Sequence, residues 1–294
     1  MKAIGFYIFS VINYLITLLP LRLLYLFSDF FYLILYYLAG YRRKVVAANL
    51  RNAFPEKSEA ERRKIERRFY RHLADLFIET LKATHMSHEQ ISRRVTVKDL
   101  VDLDRLYREG RNIIALCSHY NNWEWLSSMQ PVHRFTTLTI YKPLKNKYFD
   151  QFIYNLRTKY GVWASPMENI VRDLARFRNE KVLTMSAFIA DQTPPPDKHV
   201  FWTTFLNQET GFFRGAEKLA VKYDMPVLFV ILTKIKRGYY ELNFELITDH
   251  PREEAPDFIT SRYAEMLEAV IREKPEYWLW SHRRWKHKKP VNND

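Results

Sequence analysis

The stretch that decides the fold is Ala115-Leu-Cys-Ser-His-Tyr-Asn-Asn-Trp-Glu-Trp125. It overlaps Asn112-Ile-Ile-Ala-Leu116, a short apolar and partly β-branched run that is typical of a buried strand. Asn121 and Asn122 are good helix caps, so the chain after them is predicted to form a helix that continues to Met129. The pattern therefore predicts a strand that turns directly into a helix.

Two side chains in this stretch are suited to acid–base chemistry. His119 is predicted to leave the carboxyl end of the strand, which is where open α/β sheets bind ligands. Glu124 follows five residues later, in the first turns of the predicted helix. An imidazole acts as a general base when a carboxylate fixes its tautomer, so we expect Glu124 to hold the His119 ring. The alternative interpretation is a capped helix beside a satisfied surface histidine.

Composition and charge limit the class of protein. The 294 residues are 47% hydrophobic and 16% aromatic, which suits one large α/β domain with an appendage or two small domains. The formal net charge of +13 favours an anionic partner: nucleic acid, acidic phospholipid or an acidic carrier protein. The single cysteine, Cys117, excludes an internal disulfide and most cysteine-based metal sites.

The N-terminal segment is strongly apolar. Residues 3–21 carry no charge, a length that can span a bilayer, and the apolar run 23–38 is broken only by Asp29. We expect residues 1–41 to anchor the protein in a membrane, as one transmembrane helix plus an interfacial helix or as a hairpin. The basic residues that follow would place residues 42–294 on the cytoplasmic side. A pair of buried core helices is the alternative.

A long charged helix is predicted to begin at Ser58, where Glu61 completes a capping box. One face is apolar at helical spacing and consists of Leu73, Leu76, Phe77, Thr80 and Leu81. The densest basic run of the chain lies on the same helix and consists of Arg62, Arg63, Lys64, Arg67, Arg68 and Arg71. A solvated face and an interface with anionic headgroups or an acidic carrier both fit this charge.

Two further strands are predicted to end in polar residues. The alternating run 135–141 and the apolar run 181–188 both have strand character. The polar residues after these strands, or on the helix that follows the first, are Lys142, Asn146, Arg157, Asp191 and Gln192. Asp191 precedes a Pro-rich turn, where an Asp often only forms the turn, but its position at the carboxyl end of a strand favours a role in a binding site.

The C-terminal half completes the predicted sheet. The run 200–205 alternates, and residues 206–211 are predicted to open a helix that continues through Ala216, Leu219 and Ala220. The β-rich runs 225–233 and 239–248 are predicted to pair as a hairpin, and 257–273 is the last helix. The predicted fold class is α/β, with a mixed, largely parallel sheet wrapped by helices and an N-terminal membrane-anchoring helical segment.

In their order, these motifs resemble those of the bacterial lipid A biosynthesis (late, secondary) acyltransferases, within the wider His-x4-Asp/Glu glycerolipid-type acyltransferases. The resemblance runs from about residue 42 to residue 286. It includes His119 with Glu124, the Tyr-Lys-Pro…Asn block, Arg157, the Ala-Asp-Gln loop and the C-terminal Trp-Leu-Trp…His-Arg-Arg block. The chain departs from the family pattern at Asn121 and Asn207, where Gly is common, and at Lys142, where Arg is commoner.

The resemblance implies an enzyme of the bacterial inner membrane whose catalytic domain faces the cytoplasm. It would move a fatty acyl chain from an acyl carrier protein or coenzyme A thioester to a hydroxyl of a lipid A precursor or similar anionic glycolipid. His119 would be the base and Glu124 would hold it. Substrate would be bound by Lys142, Asn146, Arg157, Asp191 and Gln192, with Arg157 and backbone N–H groups as oxyanion contacts. The resemblance implies no metal, no cofactor and no nucleic acid, and would place the C-terminal Trp and Arg residues at the membrane interface.

Three alternatives remain. The acceptor could be a phosphatidylinositol mannoside-like lipid or an amino-acid lipid. The mechanism could be covalent, with Cys117 as the nucleophile, although its spacing to His119 is unfavourable for proton transfer. The chain could instead be a basic membrane-surface or nucleic-acid binding protein, which fits the charge but not the polar strand ends.

Overall fold

The computed structural model describes residues 2–194 and 200–289, so Pro195 and Pro196 of the predicted Pro-rich turn lie outside the described residues. The α-helices are α1 (Lys2–Leu18), α2 (Leu21–Leu33), α3 (Arg43–Ala53), α4 (Glu59–Ala83), α5 (His88–Ser92), α6 (Val101–Arg108), α7 (Lys147–Thr158), α8 (Ile170–Asn179), α9 (Gly215–Tyr223) and α10 (Phe258–Glu273). A π-helical turn, Ile34–Leu38, extends α2, and 3₁₀ segments cover Trp123–Val132, Met167–Asn169 and Pro275–Tyr277.

A seven-stranded sheet forms the centre of the fold, in the order β1-β9-β8-β2-β5-β3-β4. Its strands are β1 (Val95–Val97), β2 (Ile113–Cys117), β3 (Thr136–Tyr141), β4 (Trp163–Pro166), β5 (Thr184–Ile189), β8 (Val227–Lys236) and β9 (Tyr239–Thr248). Every neighbouring pair is parallel except β8 and β9. The predicted fold class is therefore confirmed, including the hairpin formed by β8 and β9.

Strand β2 lies at the middle of the sheet and is buried on both faces. Ile114 and Leu116 pack into one hydrophobic cluster, whereas Ile113 and Ala115 pack into the cluster on the opposite face. A strand covered on both faces needs a continuous apolar sequence, which is what the run before His119 supplies. This burial fixes the position of the loop that follows.

Residues 206–211 do not open a helix, so the predicted start is wrong, although the predicted helix through Ala216, Leu219 and Ala220 is present as α9. Strands β6 (Val200–Phe205) and β7 (Gln208–Phe213) instead form a separate antiparallel hairpin. Leu206 and Asn207 are its two turn residues, with φ of 51° and 60°. Two successive positive φ angles are what a two-residue hairpin turn requires, and Asn tolerates this backbone region well.

The apolar N-terminus forms two helices on either side of Pro20. The uncharged run was predicted to have the spanning length, but α1 has 17 residues. The helix with the length and composition to cross a membrane is Leu21–Leu38, with a mean hydropathy of 1.4 and 33% of it buried. It is a candidate membrane anchor. Both helices expose large apolar side chains, including Ile4, Tyr7, Ile8, Val11, Leu15, Leu18, Leu26, Phe30, Tyr37 and Leu38.

Helix α4 begins at the predicted capping box, in which Ser58 and Glu61 exchange hydrogen bonds. The predicted apolar face is only partly right, since Leu76 is buried but Phe77 is 46% exposed. The buried side of α4 also carries two carboxylates, Asp75 and Glu79. Helix α2 packs against this side, so the face of α4 that is buried is wider than its apolar stripe.

Glu79 links α4 to three other parts of the fold. Its carboxylate accepts hydrogen bonds from the hydroxyl of Tyr25 on α2 (2.8 Å), the hydroxyl of Tyr240 on β9 (2.6 Å) and the side-chain amide of Asn122 (2.7 Å). Burial raises the pKa of this carboxyl. These bonds compensate for burying a polar group and tie the loop after β2 to the helices.

Candidate active site

His119 and Asp191 are brought together by strand register. Strands β2 and β5 are parallel neighbours, and their last residues, Cys117 and Ile189, are register partners. Each polar residue lies two positions beyond that pair, so both reach the same edge of the sheet. His119 Nδ1 lies 2.7 Å from Asp191 Oδ1, and the His119 backbone N–H donates to Asp191 Oδ2 at 3.0 Å.

Asp191 is buried, and both of its carboxylate oxygens are hydrogen-bonded. The indole N–H of Trp278 donates to Oδ2 at 2.8 Å, beside the backbone N–H of His119. Burial alone would raise the pKa of Asp191, but the facing His119 and the hydrogen bonds outweigh it and hold the pKa below its ordinary value. Because an ionised carboxylate only accepts hydrogen bonds, Nδ1 of His119 carries the proton.

The second ring nitrogen of His119 is therefore free to accept a proton. The side-chain amide of Gln192 lies 3.1 Å from Nε2, and the ring of Trp123 packs edge-on with its centroid 5.0 Å away. The His119 side chain is 16% exposed. A neutral imidazole with an oriented Nδ1–H and an accessible Nε2 is the arrangement that a general base needs.

Glu124 does not hold the His119 ring, and that prediction is wrong. Its carboxylate instead pairs with Arg157, accepting from Nε at 3.0 Å and from Nη2 at 2.6 Å. The indole of Trp123 also donates to Glu124, at 3.2 Å. Burial disfavours the charged guanidinium, but Glu124 outweighs this and raises the pKa of Arg157. This bidentate ion pair fixes the orientation of the guanidinium, because Nε and Nη2 both donate to Glu124.

No asparagine side chain caps the helix that follows β2, so the predicted helix cap is wrong. Residues 123–132 form a 3₁₀ helix, and Asn122 makes no capping bond at its start. Asn121 instead has a positive φ of 53°, and its side chain donates to the backbone of Leu232 at 2.7 Å. The backbone N–H of Asn121 donates to the carbonyl of Tyr277 at 2.9 Å. Asparagine takes here a backbone conformation that glycine adopts easily.

Two predicted substrate-binding residues lie away from this pair. Lys142 is exposed and has no hydrogen bond or ion pair within the described part of the chain. Asn146 caps α7, since its side-chain oxygen accepts from the backbone N–H of Tyr148 at 3.1 Å. The capping bond accounts for Asn146 without a substrate. A substrate-binding role for either residue stays a prediction.

Cys117 is buried at the end of β2, where it lines the small cavity beside Glu124 and Arg157. Burial, with the nearby charge of Asp191, raises the pKa of its thiol to about 12. The thiolate is the nucleophilic form of cysteine, so the group is inert near neutral pH. Burial of the thiol and its raised pKa disfavour the covalent alternative.

The C-terminal Trp and Arg block was expected at the membrane interface, and for its central residues this is wrong. Trp278, Trp280 and Arg284 are 2%, 0% and 2% exposed. The Arg284 guanidinium donates to the backbone of Gly211 at 2.7 Å and stacks on Phe212. The block is a buried wall of the site, because Trp278 supplies a hydrogen bond to Asp191. Nothing in the local sequence distinguished an interfacial tryptophan from a buried one.

A small cavity of about 70 Å³ lies beside Glu124 and Arg157. Its walls are mostly apolar and include Ile140, Ala187, Ile189 and Phe244. Within residues 2–194 and 200–289, no group of three His, Cys, Asp or Glu side chains is placed to hold a metal ion. The arrangement is suited to proton transfer at His119 next to an apolar substituent.

Comparison with known proteins adds one assignment. The model of the family described as "Bacterial lipid A biosynthesis acyltransferase" matches residues 1–287. No match was found among curated proteins. Among solved structures, the chain is similar to the 1-acyl-sn-glycerophosphate (LPA) acyltransferase PlsC from Thermotoga maritima, with a TM-score of 0.38 and 17% identity. That similarity covers 92% of this chain and 99% of the other.

Proposed function

We propose, from the premise that the chain belongs to the bacterial lipid A biosynthesis acyltransferase family, that His119 and Asp191 carry out its acyl transfer. The chain is an acyltransferase that acts on a lipid. The donor that we propose is an acyl carrier protein thioester or coenzyme A thioester, and the acceptor is a hydroxyl of a lipid A precursor or similar glycolipid. The observation that carries the proposal is the buried Asp191 bound to His119 Nδ1 at 2.7 Å.

In the proposed mechanism, the acceptor hydroxyl displaces the amide of Gln192 from His119 Nε2. Nε2 takes the hydroxyl proton as the oxygen attacks the thioester carbonyl carbon. Asp191 stabilises the imidazolium that forms and keeps its orientation, without taking the proton itself. The tetrahedral intermediate then collapses, the C–S bond breaks, and the imidazolium returns the proton to the leaving thiolate. The products are an ester and a free thiol.

Arg157 is proposed to stabilise negative charge that develops on the substrate. Glu124 binds Nε and Nη2, so Nη1 is the part of the guanidinium left to face a substrate oxygen. A donor already held in place costs no reorganisation during the reaction. Glu124 is therefore proposed to position Arg157 rather than His119. The small apolar cavity beside the pair supports placing the carbons next to the thioester carbonyl there.

The proposed location is the bacterial inner membrane, with residues 42–294 facing the cytoplasm and residues 1–41 as the anchor. The exposed apolar side chains of α1 and α2 support it, because they form more apolar surface than a soluble protein usually leaves uncovered. Arg42, Arg43 and Lys44 follow directly, as expected for a segment that emerges on the cytoplasmic side.

The function is tested by incubating membranes that contain the wild-type protein with a labelled acyl donor and a lipid A precursor. We expect label to move to the precursor from the carrier protein thioester, the coenzyme A thioester or both. Transfer to other glycolipids or to an amino-acid lipid, but not to the precursor, would replace the proposed acceptor. Absence of transfer from either donor to any of these lipids would contradict the proposal.

Cys117→Ser is expected to leave kcat unchanged, because a buried thiol with a pKa of about 12 does not act as the nucleophile. The native protein should also resist alkylation by N-ethylmaleimide, and treated protein should keep its activity. Alkylation after unfolding in urea is the positive control for the thiol. Loss of acyl transfer in Cys117→Ser, with thermal stability preserved, would favour the covalent mechanism instead.

A further inference from the structure

A second cavity, with polar walls and a volume of about 440 Å³, lies between α4, the β8–β9 turn and the C-terminal 3₁₀ segment. It shares no lining residue with the cavity beside Glu124. Its charged wall consists of Arg68, Arg71, Lys234, Arg237, Asp75 and Glu276. Two of these, Arg68 and Arg71, belong to the basic run of α4 that the sequence singled out. The mechanism at His119 uses none of them.

The carboxylates in the cavity do not balance its cations. Asp75 is already occupied, because Arg237 donates to it from Nε and Nη2 and Ser28 adds a bond of 2.7 Å. Lys234 lies a long 3.5 Å from the same carboxylate. Arg237 is also paired with Asp29 at 2.8 Å, so four cations face the three carboxylates of Asp75, Glu276 and Asp29, and one positive charge remains. Lys234 is the buried cation of this set, with a side chain only 10% exposed, and its contact with Asp75 is long, so an anion in the cavity would complete its pairing.

Arg71 is the cation that is least satisfied. Its guanidinium lies 5.2 Å from the centroid of the Tyr32 ring and has no carboxylate partner among the residues that the structure describes. Arg68 reaches Glu276 only at 3.4 Å. A guanidinium offers paired N–H donors that match phosphate oxygens, and stacking on Tyr32 orients the plane of Arg71 without using its donors.

The lining also contains a buried histidine whose ring N–H has no partner in the described part of the chain. His72 is 3% exposed, and its Nδ1 lies 3.3 Å from the ammonium of Lys234. Burial and the charge of Lys234 lower the pKa of His72 well below its ordinary value, so the ring is neutral. An ammonium group only donates, so Nδ1 accepts and Nε2 carries the hydrogen. Nε2 has no partner within the described residues.

The cavity adjoins both the catalytic loop and the apolar helix α2. The carbonyl of Tyr277, a lining residue, accepts from the backbone of Asn121, and the next residue, Trp278, binds Asp191. On the other side, Tyr32 of α2 packs under Arg71. A ligand here would therefore have an anionic group in the cavity, a reacting group near His119 and an apolar part near α2.

We propose that this cavity binds a phosphate group of the lipid acceptor, with Arg71, Arg68 and Lys234 as its charged contacts. The proposal rests on the acyltransferase function proposed above and adds a recognition site for the acceptor. A phosphate is small enough to reach Lys234, whose side chain is only 10% exposed. A carboxylate on the surface of an acidic protein would meet Arg68, whose side chain is 55% exposed, but not the recessed Lys234.

The first test compares the KM of Arg71→Gln for a phosphorylated acceptor and for the same lipid after enzymatic dephosphorylation. We expect the KM for the phosphorylated acceptor to rise about tenfold, with kcat little changed, because one charged contact is lost. The KM for the dephosphorylated lipid should be the same in wild type and variant. Arg67→Gln, which removes the same charge from α4 outside the cavity, should leave both constants unchanged. An equal rise for both lipids would overturn the proposal.

A second test does not depend on acyl transfer. Glucose 1-phosphate, at constant ionic strength, should raise the melting temperature of wild type and Arg67→Gln more than that of Arg71→Gln. If this difference appears while acyl transfer is absent, the proposed function fails and the anion site stands. An equal rise in all three proteins would overturn the site itself.

A third experiment tests whether the phosphate bound in the cavity belongs to the lipid acceptor or to a phospholipid of the surrounding membrane. Phosphatidylglycerol vesicles added to the assay should not compete with the phosphorylated acceptor for the wild-type enzyme. Competitive inhibition that disappears in Arg71→Gln would assign the cavity to a phospholipid headgroup and would contradict the acceptor assignment. Competition by an acidic protein, lost in the same variant, would contradict it as well.

Discussion

Asp191→Asn is expected to lower kcat for acyl transfer by about 10³- to 10⁴-fold, the scale seen when an orienting aspartate of a catalytic histidine loses its charge. The side chain keeps its shape, so the fold should be preserved. The loss should appear in kcat rather than in KM, because Asp191 touches His119 and Trp278 in the structure and is buried away from the substrate cleft.

The reason is the tautomer of His119. In the native protein, Oδ2 of Asp191 accepts two hydrogen bonds and Oδ1 accepts the third, from Nδ1. Asparagine has one oxygen, which best satisfies the two donors at the Oδ2 position. Its amide N–H then faces Nδ1, which must accept, so the proton moves to Nε2. An imidazole protonated at Nε2 cannot take the acceptor proton.

Gln192→Ala is the matched control, since Gln192 contacts the other nitrogen of the same ring. We expect only a small change in kcat there, because the acceptor hydroxyl replaces that amide during catalysis. A kcat for Asp191→Asn within tenfold of wild type would contradict the role given to Asp191.

Asp191→Asn should also change how the free energy of unfolding depends on pH. The pKa of Asp191 is lowered in the folded protein, so its contribution is present above the unfolded-state pKa and is lost as pH falls through the folded-state value. The free energy of unfolding of Asp191→Asn should therefore fall less than that of wild type as the pH is lowered through the acid range. Urea unfolding of both proteins in the acid range measures the difference.

Glu124→Ala and Arg157→Ala are each expected to lower kcat/KM by about 10²-fold, and the double variant should be no worse than either single one. The two side chains act as one unit, because removing either leaves the other partly buried and unpaired. Their exposed fractions are 25% for Arg157 and 15% for Glu124. A shared loss would show that Glu124 works through Arg157.

The exposed pair of Arg176 and Glu180 on α8 is the control for this cycle. Its atoms approach to 2.8 Å, but the side chains are 51% and 45% exposed, so breaking it should change activity and stability little. If the loss of kcat/KM in the Glu124/Arg157 double variant equals the product of the two single losses, the claim that the two side chains act as one unit is contradicted. A loss for Glu124→Ala without one for Arg157→Ala would restore the sequence prediction that Glu124 serves His119.

Local patterns predicted much of the sheet. The β8–β9 hairpin was predictable because two long β-rich runs flank Arg237-Gly238, and His119 was predictable at a strand end because an apolar run precedes it. Strand β4 (Trp163–Pro166) and the β6–β7 hairpin were missed. Both are short, and a two-residue turn of Leu206 and Asn207 lacks the glycine that usually marks such hairpins.

The partner of His119 was not predictable from local sequence. Glu124 is near in sequence, but residues 123–132 form a 3₁₀ helix in which Glu124 pairs with Arg157. Asp191 reaches His119 because β5 lies next to β2 and both loops start from register partners. Strand order and register are properties of the whole sheet. Burial of Glu79 and Trp278 likewise depends on packing between distant segments.

The most direct test of the central claim is acyl transfer by His119→Ala, compared with wild type at equal protein levels in the same membranes. If His119 is the general base, transfer to the lipid A precursor should fall by at least about 10³-fold. Thermal unfolding of the purified proteins controls for folding. Equal transfer by wild type and His119→Ala would contradict the mechanism, whatever the acceptor proves to be.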